Sequence, residues 1–96
     1  MHEFAIATHL VEFLRTLKEK EGADRVIGVT LCINPYSCLD EDSLNFSFSA
    51  LAQDDGSLAG ARVRVERSDD PDSREVVVKN VEVEVEDGDK DDQSGT

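Results

Sequence analysis

The apolar residues change period sharply near the start of the chain, and that change limits what can be built around it. From Phe4 to Glu21 they recur at helical spacing. Ile6, Leu10, Phe13 and Leu17 form one stripe with Ala7, Val11 and Leu14 beside it, and Glu12, Arg15, Thr16 and Glu19 fill the opposite side. Gly22 follows as a helix stop. From Arg25 to Ile33 the period drops to two, with Ile27, Val29, Leu31 and Ile33 expected on one face and Val26, Gly28, Thr30 and Cys32 on the other. Asn34-Pro35 ends that strand, because Pro35 has no N–H to give a ladder.

Beyond the turn at Pro35 to Cys38, Asp40 is a good N-cap, and Glu41 and Asp42 are favourably placed in a first helical turn. The second helix is expected from about Glu41 to Gln53, offering Leu44, Phe48 and Leu51 to the core with Phe46 and Ala50 flanking. Asp54-Asp55-Gly56 breaks it. A half-buried strand then runs from Ala61 to Arg67, and a long one from Glu75 to Glu86 with Val77, Val81, Val83 and Val85 on one side. The expected fold is α+β in the order α-β-α-β-β, with both helices on one face of a three-stranded mixed sheet. The second helix acts as a crossover between two parallel strands, and the last two strands form an antiparallel hairpin. Residues 1–86 make one domain, and 87–96, composed of Asp, Gly, Lys, Gln, Ser and Thr, read as a disordered acidic tail.

Charge narrows the function. The chain has 96 residues, and its 22 acidic side chains against 10 Lys and Arg leave a formal charge of −12. Such a chain repels phosphate backbones, so nucleic acid and anionic membranes are not its partners. No apolar run approaches the roughly 18 residues of a membrane span. Met1-His2-Glu3 has no secretory signal character. Two cysteines, Cys32 and Cys38, are too few for a disulfide scaffold and lack the second pair that structural zinc requires. Both are expected to be free thiols in a cytoplasmic protein. No nucleophile stands near either histidine, no glycine-rich phosphate loop is present, and an enzyme is not expected.

The sharpest chemical feature is at the start. The terminal amine of Met1, the backbone amide of His2 and the His2 imidazole lie in chelating order, closing five- and six-membered rings around one metal. With the Glu3 amide or another group as fourth ligand, the set becomes square-planar nitrogen, which suits Ni(II) or Cu(II). His9 falls close to His2 on a helical wheel, but two turns place it about 10 Å further along the axis, too far to share a metal.

Met1 to Ala7 followed by Leu10-Val11-Glu12 resembles the start of the HypA family, the nickel metallochaperones of [NiFe]-hydrogenase and urease maturation. The likeness continues through Gly22 to Val26, Leu44 to Phe48 with Ala50-Leu51, Leu58 to Ala61 and the Val-Glu alternation near the C-terminus, and so covers about Met1 to Glu86. The resemblance implies a nickel site made of the Met1 amine, His2 and the Glu3 backbone. It also implies delivery with a HypB-like GTPase to the hydrogenase large subunit. The chain itself is expected to be a monomer or weak homodimer. One departure is large. Family members carry a zinc lobe, built on two Cys-x-x-Cys pairs, between the last two strands, where this chain has only Ser68 to Ser73. No structural zinc is therefore expected. The alternative function is a metal-free adaptor or regulator of a maturation complex that keeps the fold without the metal role.

Overall fold

The structure, a computed structural model, describes residues 2–85, with His2 described by its backbone alone. Helix α1 (His2–Glu21) is followed by strand β1 (Arg25–Ile33), helix α2 (Glu41–Ala52) and strands β2 (Arg62–Arg67) and β3 (Val76–Glu84). This is the expected α+β order. The tail expected to be disordered lies outside the described residues.

The helix ends form where local chemistry places them. Gly22 closes α1 with φ +67°, its N–H donating to the Glu19 carbonyl at 3.2 Å while the Ala23 N–H donates to Lys18 at 2.9 Å. These two bonds satisfy carbonyls that the helix would otherwise leave open. At the start of α2 the Asp40 carboxylate accepts from the Ser43 N–H at 2.9 Å.

The sheet order is β2-β1-β3. β1 pairs with β2 in parallel, from Gly28 opposite Arg62 to Ile33 opposite Arg67, as a helical crossover between them requires. The expected hairpin between the last two strands does not form. β3 instead crosses the end of β1 and pairs antiparallel along its other side. Side chains of α2 explain this arrangement. Asn45 and Glu41 already occupy the outer edge of β2, bonding the Val63 backbone and the Val65 N–H, so the far side of β1 is the edge left for pairing. Asn34, just past β1, anchors the crossing segment, since its Nδ2 donates to the carbonyls of Pro71 and Ser73.

Two irregularities in the β1–β3 ladder correct the expected facing. A shift between Val26 and Gly28 turns Val26 inward, 1% exposed, and Ile27 outward, 43% exposed, the reverse of strict alternation. A second shift opposite Thr30 and Leu31 leaves Val76 and Val78 against the core with Val81 and Val83, while Val77 faces out and Val85 is exposed. Each bulge adds one residue to one strand, which reverses the phase of everything beyond it.

Both helices lie on one face of the sheet. Ala7, Leu10, Val11 and Leu14 of α1 and Leu44, Phe48 and Ala52 of α2 pack with Val26, Val29, Leu31, Ile33, Leu39, Leu58 and Val63 in one cluster. The buried stripe of α1 is therefore centred on Ala7, Val11 and Leu14 rather than on Phe13, which is half exposed, and Ala52 goes deeper than Leu51. The opposite face of the sheet is polar. There Lys79 reaches across β1 to Glu66 with an Nζ–Oε1 distance of 2.7 Å, and Arg25 pairs with Glu84.

Candidate functional site

The two helices run side by side in the same direction, because each packs antiparallel to the strand next to it in sequence. Their N-terminal turns therefore share one end of the molecule, where Glu3 and Phe4 of α1 meet Asp42, Ser43, Phe46 and Ser47 of α2 around an open groove of about 450 Å³. The chain enters α1 at this end, so the candidate metal ligands precede the groove directly.

Of those ligands, Met1 and the imidazole of His2 lie outside what the structure describes. The backbone of His2 begins α1, and Glu3 is half-buried in the groove wall. The first N–H groups of a helix have no carbonyl one turn earlier to bond. The amides of His2 and Glu3 can thus be given to a metal without breaking a helical hydrogen bond. An amine, amide and imidazole nitrogen set of this kind favours Ni(II) or Cu(II) over oxygen-seeking Mg(II) or Ca(II).

The other candidates are placed apart. His9 is exposed, and α1 is continuous between His2 and His9, so their backbones are separated by about 10 Å along one axis. His9 borders a second groove, with Ile6, Leu10, Phe13, Leu31, Val76 and Val78. Cys32 is half-buried on β1, Cys38 is exposed in the following loop, and both are free thiols. Among the described residues no group of three or more His, Cys, Asp or Glu side chains could hold a metal ion. The segment between β2 and β3 is a tight polar turn. The Asp70 N–H donates to Ser68 Oγ, Asp72 donates to Asp70 Oδ1, and Ser73 donates to the Asp70 carbonyl.

The sequence reading missed the surroundings of Glu3. Phe46 was expected to flank the core and is instead 77% exposed, and Phe4 is 54% exposed. The signal was available. Phe46 stands two residues from both Leu44 and Phe48, so at about 100° per residue it points away from the core face that those two define.

Comparison with known proteins places these observations. A family model described as hydrogenase/urease nickel incorporation, metallochaperone, hypA, matches residues 1–71. Hydrogenase maturation factor HybF of Salmonella typhimurium is 39% identical over 59 residues, covering 62% of this chain and 50% of that one. Hydrogenase maturation factor HypA of Escherichia coli is 34% identical over 70 residues, covering 72% of this chain and 59% of that one. The chain thus spans about half the length of the curated relatives it matches. The solution structure of the Ni metallochaperone HypA from Helicobacter pylori superposes with a TM-score of 0.72 over 88% of this chain and 98% of that one. At 13% identity the likeness to that structure is one of fold.

Proposed function

The chain belongs to the HypA family of hydrogenase/urease nickel-incorporation metallochaperones, and from that membership we propose that it is a carrier of Ni(II) for the maturation of a nickel enzyme, [NiFe]-hydrogenase foremost. The metal is held by the Met1 amine, the His2 amide and imidazole, and the Glu3 backbone. The observation that carries this reading is the Met1-His2-Glu3 start joined to a helix whose opening amides have no helical acceptor. Nitrogen ligands in a plane match the preference of Ni(II). Binding through a single chelate is modest in strength, and a carrier must also release its metal.

The role is carriage rather than catalysis. The recipients are a nickel-handling GTPase of the HypB kind and the hydrogenase large subunit, and the compartment is the cytoplasm. Among the described residues no helix is long and apolar enough to cross a membrane. No structural zinc is assigned, because the turn from Ser68 to Ser73 carries no cysteine, and Cys32 and Cys38 supply two of the four ligands such a site needs.

The test in cells is complementation. In a host lacking its own HypA-type protein, the untagged chain restores nickel-dependent hydrogenase activity and the His2→Ala variant does not. Equal activity from both would reject the N-terminal site.

A further inference from the structure

The groove at the shared N-terminal end of α1 and α2 has two properties that the fold does not require. The first is exposed aromatic surface. Phe4 and Phe46 are 54% and 77% exposed, come from neighbouring helices, and line the same groove. Single exposed apolar residues are ordinary on a protein surface, whereas two large rings converging on one concave site mark a place of contact. The second is charge. Among the described residues, the titratable side chains lining the groove are Glu3 and Asp42, with Asp40 and Glu41 adjoining Asp42 in sequence. α2 contains no basic residue, and α1 has no Lys or Arg before Arg15. Helix dipoles account for carboxylates in the first turns, but they give no reason for the rings to face water.

We propose that this groove is the docking site for an amphipathic helical segment of a partner protein. That segment places an aliphatic side chain between Phe4 and Phe46 and flanks it with Lys or Arg facing Glu3 and Asp42. A channel between two side-by-side helices is the surface onto which an amphipathic helix packs. Aromatic residues set in a charged rim are the usual anchors of such an interface. Lys and Arg fit where Asp or Glu would be repelled, both by the groove and by a chain of net charge −12. Because Glu3, one of the proposed nickel ligands, lines this groove, a docked partner sits beside that ligand. That significance rests on the carrier reading, while the docking itself needs no metal.

The experiment uses a fluorescein-labelled synthetic amphipathic helix with Leu along one face and Lys along the other, titrated with the untagged chain and followed by anisotropy. Backbone amide NMR spectra of the protein serve as the map and as the check of folding. The expected result is saturable binding with shifts confined to the first turns of α1 and to residues 42–47. Phe46→Ala weakens binding about tenfold or more and Asp42→Asn about threefold, while Tyr36→Ala, at an exposed ring elsewhere, leaves it unchanged. A peptide with its Leu residues changed to Gln loses the binding. Wild-type affinity in Phe46→Ala, equal binding of the Gln peptide, indifference to Asp42→Asn, or shifts spread over the whole surface would each overturn the proposal. A Ni(II) titration of Phe46→Ala, expected to match the wild type, keeps the two readings apart. Lost peptide binding with intact nickel binding is a failure of docking alone, and absent nickel binding with intact peptide binding is a failure of the carrier reading alone.

Discussion

Asn45 on α2 holds both backbone polar groups of Val63 on β2: its Nδ2 donates to the Val63 carbonyl at 2.8 Å, and its Oδ1 accepts from the Val63 N–H at 2.9 Å. One amide side chain thus takes the place of a neighbouring strand. Glu41, one turn earlier, continues the imitation by accepting from the Val65 N–H at 2.8 Å. Between them they close an edge that would otherwise invite another chain, and they direct β3 to the far side of β1.

Replacing Asn45 with Ala therefore leaves two part-buried backbone groups of β2 unsatisfied. The expected loss is about 2–3 kcal/mol of unfolding free energy, together with a greater tendency to associate. Urea denaturation and light scattering check the two effects. Asn45→Asp retains an acceptor but no donor and is expected to recover only part of the stability.

Gly22 gives a cleaner backbone test. A Cβ there meets no heavy atom within 4 Å, so Gly22→Ala introduces no clash and its cost is conformational alone. At φ +67° that cost is about 1–2 kcal/mol, visible as a lower melting temperature. Gly22→Asn, which tolerates the left-handed region, is expected to cost less.

Asp55 is expected to contribute to the loss of stability in acid. Its Oδ1 accepts from the hydroxyl and N–H of Ser57, at 2.6 Å and 3.0 Å, and its Oδ2 accepts from Arg15 Nε at 3.0 Å. The Ser57 hydroxyl first and the Arg15 guanidinium second hold the carboxyl below its ordinary 3.8. A carboxylate whose folded pKa is lowered stabilises the fold fully above its unfolded value. That contribution is lost as the pH falls through the lowered folded value. Asp55→Asn is expected to be less stable near neutral pH and to show a shallower decline on acidification, measured by denaturation from about pH 2 to about pH 7.

The facing of β1 can be tested by a pair of truncations. Val26→Ala removes buried atoms and is expected to cost about 2 kcal/mol, whereas Ile27→Ala on the outer face costs about 0.5–1 kcal/mol or less. Strict alternation along the strand would give the opposite order.

That pair also shows how far the sequence could be read. Both helices and the end of β1 were legible because they rest on local chemistry: Gly22 in a left-handed stop, Asp40 as an N-cap, Pro35 denying the ladder an N–H. The parallel β1–β2 pairing followed from the helix between them. What pattern alone could not supply was non-local. The extra residue at Val26 to Gly28 is visible only in the pairing with β3. The side of β1 that β3 takes depends on Asn45 reaching Val63 across 18 positions of sequence. The same holds at the site. Met1-His2-Glu3 could be picked out from ligand order, but the groove beside it needed the two helix starts brought together.

The most direct test of nickel carriage is a calorimetric Ni(II) titration of the untagged chain, followed in parallel by visible absorption. His2→Ala and a form extended before Met1 are measured alongside it. The expectation is one equivalent of Ni(II) bound by the unmodified chain with the spectrum of a square-planar diamagnetic ion, and loss of that site in both altered forms. Equal binding in all three, or no binding in any, would contradict it and leave a family fold whose work is done through protein contacts alone.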